Sequence, residues 1–266
     1  MDRAKKGDNT PVLLEASEDG ILRLTLNRPE QRNALSVGLM SALSEALERA
    51  AAEKACRVVV IAGAGPASCA GHDLRELRAD NSREAYERVF AQCSALMLQI
   101  IRLPKPVIAE VHRIATAAGC QLVATCDLAV AAAEARFATP GVDIGLFCST
   151  PMVALTRAVG RKPAMEMLLT GDLVDARTAQ AIGLVNRVVP GAELGAATTA
   201  LARQIAAKSA LTVAIGKEAF YRQAELGLAD AYSYAAQVMT RNMLAADAAE
   251  GIDAFLEKRP PHWQDA

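Results

Sequence analysis

Two short segments, Cys69-Ala70-Gly71-His72-Asp73-Leu74 and Ala117-Ala118-Gly119-Cys120-Gln121-Leu122, each carry the chain from an apolar strand into a helix through mostly small residues. A helix start leaves backbone N–H groups without intrahelical acceptors, and side chains no larger than a methyl let an outside oxygen approach them. Two such donors converging on one carbonyl would form an oxyanion hole. The bland reading of the second segment is close helix packing, which small residues also permit.

The pattern around these joints is that of an α/β chain. Val12-Leu13-Leu14 and Ile21–Leu26 flank the turn signal Glu18-Asp19-Gly20 and read as a hairpin. Ser36 is placed to cap a helix whose Leu39, Met40, Leu43, Leu47 and Ala50 recur at helical spacing. Val58-Val59-Val60-Ile61 reads as a buried strand. Tyr86, Val89, Phe90, Cys93, Met97 and Ile100 mark one face of a helix over 82–102, stopped by Pro104. Val107–Val111 and Asp127–Ala131 are strands on either side of a helix from about Ala118 to Ala124. Beyond Pro140 the spacing predicts helices at 151–158, 161–169, 175–182, 192–208, 211–224, 228–243 and 245–257, with one strand at Val185–Val189. The expected organisation is a flexible N-terminus over 1–10, an α/β core over 11–195 and a helical region over 196–266.

Composition excludes several classes of function. With 266 residues, 52% of them hydrophobic, the chain can bury a large core. Its 29 basic and 30 acidic residues nearly cancel without long runs of either sign, which favours no nucleic-acid partner. No apolar run reaches the roughly 20 residues that span a bilayer, and the polar opening Met1–Thr10 has no apolar stretch behind it. These features give the expectation of a cytoplasmic protein with no membrane partner. The six cysteines form no CxxC pair and sit mostly in apolar segments, as reduced structural thiols do. No metal site is expected, because His72, His112 and His262 are far apart with no ligand spacing between them.

Three further motifs carry little. Gly63-Ala64-Gly65 follows a strand, but the third glycine of a dinucleotide fingerprint would fall on Ser68. Ser68 and Ser149 lack a Gly-x-Ser-x-Gly elbow, which leaves no basis for a serine–histidine triad. Asp73 stands at a helix start, where a carboxylate caps free N–H groups.

Taken in order, Leu26-Asn27-Arg28-Pro29 with Asn33-Ala34-Leu35, Gly71-His72-Asp73-Leu74, Pro104–Ala109 and Ala118–Leu122 with Cys126-Asp127 resemble the crotonase, or enoyl-CoA hydratase/isomerase, superfamily. Leu155–Gly160, Leu169-Thr170-Gly171, Gly183-Leu184-Val185 and Ala254–Arg259 extend the resemblance over nearly the whole chain. The stretch Ala138–Pro151 resembles a subgroup of enoyl-CoA hydratase domain-containing proteins.

This resemblance implies a spiral of strand-strand-helix turns with a helical C-terminal trimerisation region, assembled as a homotrimer or dimer of trimers. It implies an acyl-CoA thioester as substrate, with coenzyme A entering as part of the substrate and no separate cofactor. The thioester oxygen would accept from the N–H groups of His72 and Ala118. Ala70, Gly71, His72, Asp73 and Leu74 would contact the adenine, and Arg28 the pantetheine or phosphates. Phe255 and Lys258 match positions that reach a neighbouring subunit's coenzyme A, although a solvated tail charge is the plain reading of Lys258.

Hydratases of the family use two glutamates, and the matching positions here hold Gln121 and Gly141. Glutamine can orient a water but takes no proton near neutral pH, and glycine has no side chain. Asp143 is the nearest replacement acid, and the His72 imidazole is a further candidate. Dihydroxynaphthoyl-CoA synthases also lack the second glutamate. Two readings follow: an enzyme of fatty-acid metabolism that stabilises a thioester enolate, or a non-catalytic acyl-CoA-binding member.

Overall fold

The computed structural model describes residues 10–266, so the loose N-terminus expected over 1–10 lies, apart from Thr10, outside the described residues. The hairpin forms as β1 (Leu13–Glu18) and β2 (Ile21–Leu26), paired antiparallel with Leu13 opposite Leu26 and Glu18 opposite Ile21. Asp19 and Gly20 both take positive φ, the geometry that two-residue hairpin turns favour.

From β2 onward the main sheet is parallel, running through β3 (Val58–Gly63), β4 (Val107–Val111), β6 (Leu128–Ala132) and β9 (Arg187–Val189). Its middle strands are apolar on both faces because both faces are covered. One face packs against α1 (Val37–Ala52) and α3 (Arg83–Arg102), whose N-caps Ser36 and Ser82 accept from Leu39 N–H and Ala85 N–H.

A second, three-stranded sheet of β5 (Ile114–Thr116), β7 (Arg136–Ala138) and β8 (Val174–Asp175) has the order β5-β7-β8. These strands are two or three residues long, too short to show a periodicity. They complete the expected strand-strand-helix turns: β4 and β5 lead into α4 (Ala118–Thr125), while β6 and β7 lead through the 3-10 turn Pro140–Ile144 into α5 (Ser149–Ala158). The short α2 (Leu74–Ala79) follows the first small-residue joint, and α6 (Arg161–Thr170) and α7 (Ala176–Ala181) flank β8. Among the described residues no helix is long and apolar enough to cross a membrane.

The structure redraws one expected boundary. Helix α8 (Leu194–Ala206) buries Leu194, Leu201 and Ala202 against Ile21, Val58, Val60, Ile108 and Val130 on the other face of the main sheet. A division at 195/196 therefore cuts through a helix that belongs to the core. The helices beyond it are α9 (Ala210–Gln223), α10 (Leu228–Met243) and α11 (Ala246–Glu257).

Two polar clusters bind these last helices to the core. Lys217 of α9 is buried and donates to Asp127 Oδ2 (2.7 Å), Ile100 O (2.8 Å) and Lys105 O (2.9 Å). Asp127 also accepts from Tyr221 Oη (2.8 Å) and from the N–H of Val107 (2.7 Å) at the start of β4. Burial pulls the Lys217 ammonium below its usual pKa, and the Asp127 carboxylate beside it opposes that fall.

The second cluster fastens the C-terminal tail. Asp247 accepts from the N–H groups of Gln264 and Asp265, Asp265 is paired with Arg57, and Trp263 Nε1 donates to Ala207 O (2.9 Å). Arg259 forks onto both oxygens of Glu250 at 2.7 and 2.9 Å.

Asp127→Asn strips the charge from the partner of a buried ammonium and is expected to destabilise the fold by about 3–5 kcal/mol in urea titration. The tail has a separate acid response. The Arg259 side chain and then the His262 N–H hold Glu250 at about 2, against an ordinary 4.5, so its contribution is present above pH 4.5 and is lost as pH falls toward 2. Trp263, the single tryptophan, reports this directly: its fluorescence is expected to hold steady from pH 7 to about 5 and to change between about 4.5 and 2.

Candidate active site

The first joint is stitched to β5. Ser68 and Cys69 donate their N–H groups to Ile114 O at 3.0 and 3.1 Å, and Thr116 N–H donates back to Cys69 O at 3.0 Å. The second joint turns at Ala117, whose N–H donates to Ala138 O (2.9 Å) while its backbone sits at φ 51°, ψ −120°. That conformation costs a non-glycine residue about 1–3 kcal/mol, and the hydrogen bonds on either side hold it.

The two joints meet backbone to backbone. A Cβ on Gly119 would lie 2.2 Å from Cys69 O, so only glycine fits there. Gly71, at φ 95°, passes so close to the second joint that a Cβ on it would lie 2.9 Å from Ala117 Cβ and 3.3 Å from Ala118 N. Leu35 N–H donates to Gly71 O and Asp73 N–H to Leu35 O, which leaves the intervening His72 N–H pointing away from that ladder. Among the described residues neither His72 N–H nor Ala118 N–H, the first of α4, has a hydrogen-bond acceptor. Two free donors therefore stand at adjoining backbones.

The remaining residues of the first joint are held from inside. Asp73 caps α2 by accepting from Arg75 N–H (3.1 Å) and Glu76 N–H (3.4 Å), as its position predicts. Burial would raise its carboxyl, but the Arg28 guanidinium at 2.8 Å and the two N–H groups hold it below the ordinary range. Arg28 also donates to Ala34 O (2.6 Å), so its guanidinium braces the joint. Asn33, fully buried, accepts from Arg28 N–H and donates to Ala64 O and Ala67 O, a bracing role that its place in the sequence does not show. Ala70 N–H donates to Arg32 O, and Leu74 is exposed.

Gln121 lies in the first turn of α4, 4% exposed, with Cys93 Sγ 4.0 Å from its Oε1. It lines one side of a cavity of about 770 Å³ that Met97, Leu98, Thr125, Asp127 and Tyr221 also border. At Gly141 a Cβ would lie 2.7 Å from Leu146 O and 2.9 Å from Cys148 Sγ, so the place of a larger side chain is already filled. Asp143 is exposed, and its Oδ2 lies 3.1 Å from where Gly171 would carry a Cβ; it forms no hydrogen bond with either joint. Phe255, 82% exposed, and Lys258 stand at the end of α11 and make no polar contact with the joints.

The cysteines are reduced and buried. Burial pushes the Cys69 and Cys120 thiols up to about 12 and Cys93 up to about 11, so none is a thiolate near neutral pH. Ser68 and His112 are hydrogen bonded at 3.1 Å, yet they form no catalytic pair. His112 Nε2 faces Gly65 O at 2.8 Å, which can only accept, so Nε2 carries the proton and Nδ1 accepts from the Ser68 hydroxyl. Ser68 Oγ in turn accepts from the N–H groups of His112 and Arg113, and the whole pair pins the turn before the first joint. Among the described residues no group of three or more His, Cys, Asp or Glu could hold a metal ion.

Residues 16–266 match the family model described as enoyl-CoA hydratase/isomerase. The chain is 47% identical over 255 residues to the enoyl-CoA hydratase domain-containing protein 3, mitochondrial, of Xenopus laevis, covering 96% of this chain and 87% of that protein. The Homo sapiens protein of the same name is 47% identical over 245 residues, covering 92% and 81%. The crystal structure of an enoyl-CoA hydratase from Mycobacterium smegmatis superposes with a TM-score of 0.93 at 55% identity, covering 96% of this chain and 99% of that one. The crystal structure of human enoyl Coenzyme A hydratase domain-containing protein 3 gives 0.93 at 45%, covering 95% and 100%.

The cytoplasmic location expected from the polar opening is overturned, because the Xenopus laevis and Homo sapiens relatives are named mitochondrial. Compartment is set by targeting segments that take no part in a folded core, so core composition carries no trace of it. The matched residues span nearly the whole chain, both sheets and both joints: the chain belongs to the enoyl-CoA hydratase/isomerase family.

Proposed function

We propose that the chain binds an acyl-CoA thioester, with coenzyme A as the substrate's carrier half, and polarises the thioester carbonyl between the N–H groups of His72 and Ala118. The observation that carries this reading is the pair of unpartnered donors held at adjoining backbones by Gly71 and Gly119. Charge that develops on the oxygen in an enolate-like transition state is stabilised there, and one such donor is worth about 3–4 kcal/mol of barrier. Water addition by two carboxylates is not the chemistry of this site, since Gln121 cannot accept the proton and Gly141 has no room for an acid. The same two positions support a second reading, a member that binds acyl-CoA without turning it over.

What the last helices leave uncovered supports an assembly of several copies. Leu228, Tyr232 and Met239 of α10, Leu244, and Phe255 and Leu256 of α11 are exposed, more apolar surface than a lone soluble chain usually shows. We propose a homotrimer or dimer of trimers built on these helices, with Phe255 and Lys258 reaching the coenzyme A of a neighbouring copy.

Calorimetry with short- and medium-chain enoyl-CoA thioesters is expected to show saturable binding, and absorbance of the conjugated thioester is followed in parallel. Loss of absorbance above the buffer rate supports the enzyme; binding with turnover no faster than buffer leaves the binder; absence of binding refutes both. Gly119→Ala forces Cys69 off α4 and is expected to lower turnover by about 100-fold or more, the loss typical of one misplaced hole donor. Light scattering is expected to give three or six chain masses, and a monomer would remove the proposed assembly.

A further inference from the structure

The cavity of about 770 Å³ against α4 has Met97, Leu98, Val123 and Phe220 among its walls. Most of the polar side chains that border it are engaged within the protein. Asp127 accepts from Lys217, Tyr221 and the Val107 N–H, and Thr125 Oγ1 donates to Gln121 O (2.7 Å). Ser94 Oγ donates to Phe90 O (2.8 Å), and Arg157 pairs with Glu225 (3.2 Å). Gln121 departs from this pattern.

Its side chain is almost wholly buried, and Nε2 has no hydrogen-bond partner among the described residues. The two ring nitrogens of His72 also lack partners, but they are sealed inside the protein and line no cavity. Gln121 Nε2 is not sealed, and the cavity is what it meets. Cys93 decides which end of the carboxamide faces it. Burial pushes this thiol up to about 11, so it keeps its proton near neutral pH, with Sγ 4.0 Å from Gln121 Oε1. A thiol is a weak donor that draws the carbonyl end of the carboxamide, which leaves the N–H donors of Nε2 for whatever occupies the cavity. Pockets lined mainly by apolar groups take their selectivity from a few polar groups placed in this way.

Helix geometry ties this donor to the hole. Ala118 and Gln121 are three residues apart on α4, so they share a face with a rise of about 4.5 Å between them. Side chains on a helix lean toward its N-terminus, which brings the carboxamide toward the end where the Ala118 N–H stands free. A thioester oxygen on that N–H therefore sets the beginning of the acyl chain, and not its far end, beside Gln121.

We propose that Gln121 selects acyl-CoA thioesters whose acyl group carries a carbonyl oxygen on its third carbon, with Gln121 Nε2 donating to that oxygen. The inference rests on the acyl-CoA reading above and adds the class of acyl group. A 3-oxo oxygen accepts a hydrogen bond and has no proton of its own to place. A 3-hydroxyl brings a proton that needs an acceptor, and the acceptor of the carboxamide is turned to Cys93. A plain acyl chain leaves the amide donor unpaired, the penalty by which a buried polar group rejects an analogue that lacks its partner.

The test is calorimetry with 3-oxobutanoyl-CoA, 3-hydroxybutanoyl-CoA and butanoyl-CoA, which differ at that carbon alone. The wild type is expected to bind the 3-oxo thioester about 10-fold more tightly than either of the others, the effect of one neutral hydrogen bond. Gln121→Met and Gln121→Leu carry no donor, and in both the 3-oxo advantage is expected to shrink to about 3-fold or less. Melting curves identify which variants are folded. A 3-oxo thioester also enolises readily against the hole, so the loss of its advantage in the variants is what assigns that advantage to Gln121. Equal wild-type affinities for the 3-oxo and plain thioesters, a 3-hydroxy thioester bound as tightly as the 3-oxo one, or an advantage kept in a folded variant would each overturn the proposal. A wild-type protein that binds none of the three would overturn the acyl-CoA reading itself.

Discussion

The contact between Gly119 and the Cys69 carbonyl sets the distance on which the site depends. Without a side chain at Gly119, α4 can lie directly on the first joint, and the ladder from Ser68 to Thr116 holds that joint along β5. The strained Ala117 backbone is a consequence of the same approach, because the chain must turn within one residue from β5 into a helix already pressed against its neighbour. Neighbouring hydrogen bonds sustain the strain, and the unpartnered N–H groups of His72 and Ala118 stand at adjoining backbones.

Charge is used differently from place to place in this molecule. Asp73 in the first joint, and Arg28 and Asn33 beside it, have polar atoms engaged in internal bonds that keep the backbone in position. The groups without a partner on the main chain are uncharged donors, the N–H groups of His72 and Ala118. Fixed main-chain dipoles need no reorganisation as charge develops beside them, so a site with few free ionised side chains can still offer electrostatic stabilisation.

Much of this was legible in the residues. The hairpin turn, the Ser36 cap and the apolar strands are local features, determined by side chains within a few positions of one another. Small residues at both joints likewise announced a close approach of backbone, and Asp73 announced its cap. What stayed hidden is non-local. Strands β5, β7 and β8 are too short for a pattern and exist because neighbouring strands recruit them. The Lys217–Asp127–Tyr221 cluster joins residues 90 positions and more apart, with nothing in either segment to name its partner. Arg28 illustrates the limit at the site itself: the resemblance points it at the pantetheine or phosphates, while its bonds to Asp73 and the Ala34 carbonyl, which brace the first joint, are a geometry that only the folded chain reveals.

The C-terminal tail has a consequence for the order of folding. Arg57, at the entrance to β3, pairs with Asp265, 208 positions further along the chain. A growing chain folds from its N-terminal side, so the strands of the main sheet precede this partner. The clasp over α9 and α11 is therefore a late contact, made by a tail that meets a core already formed.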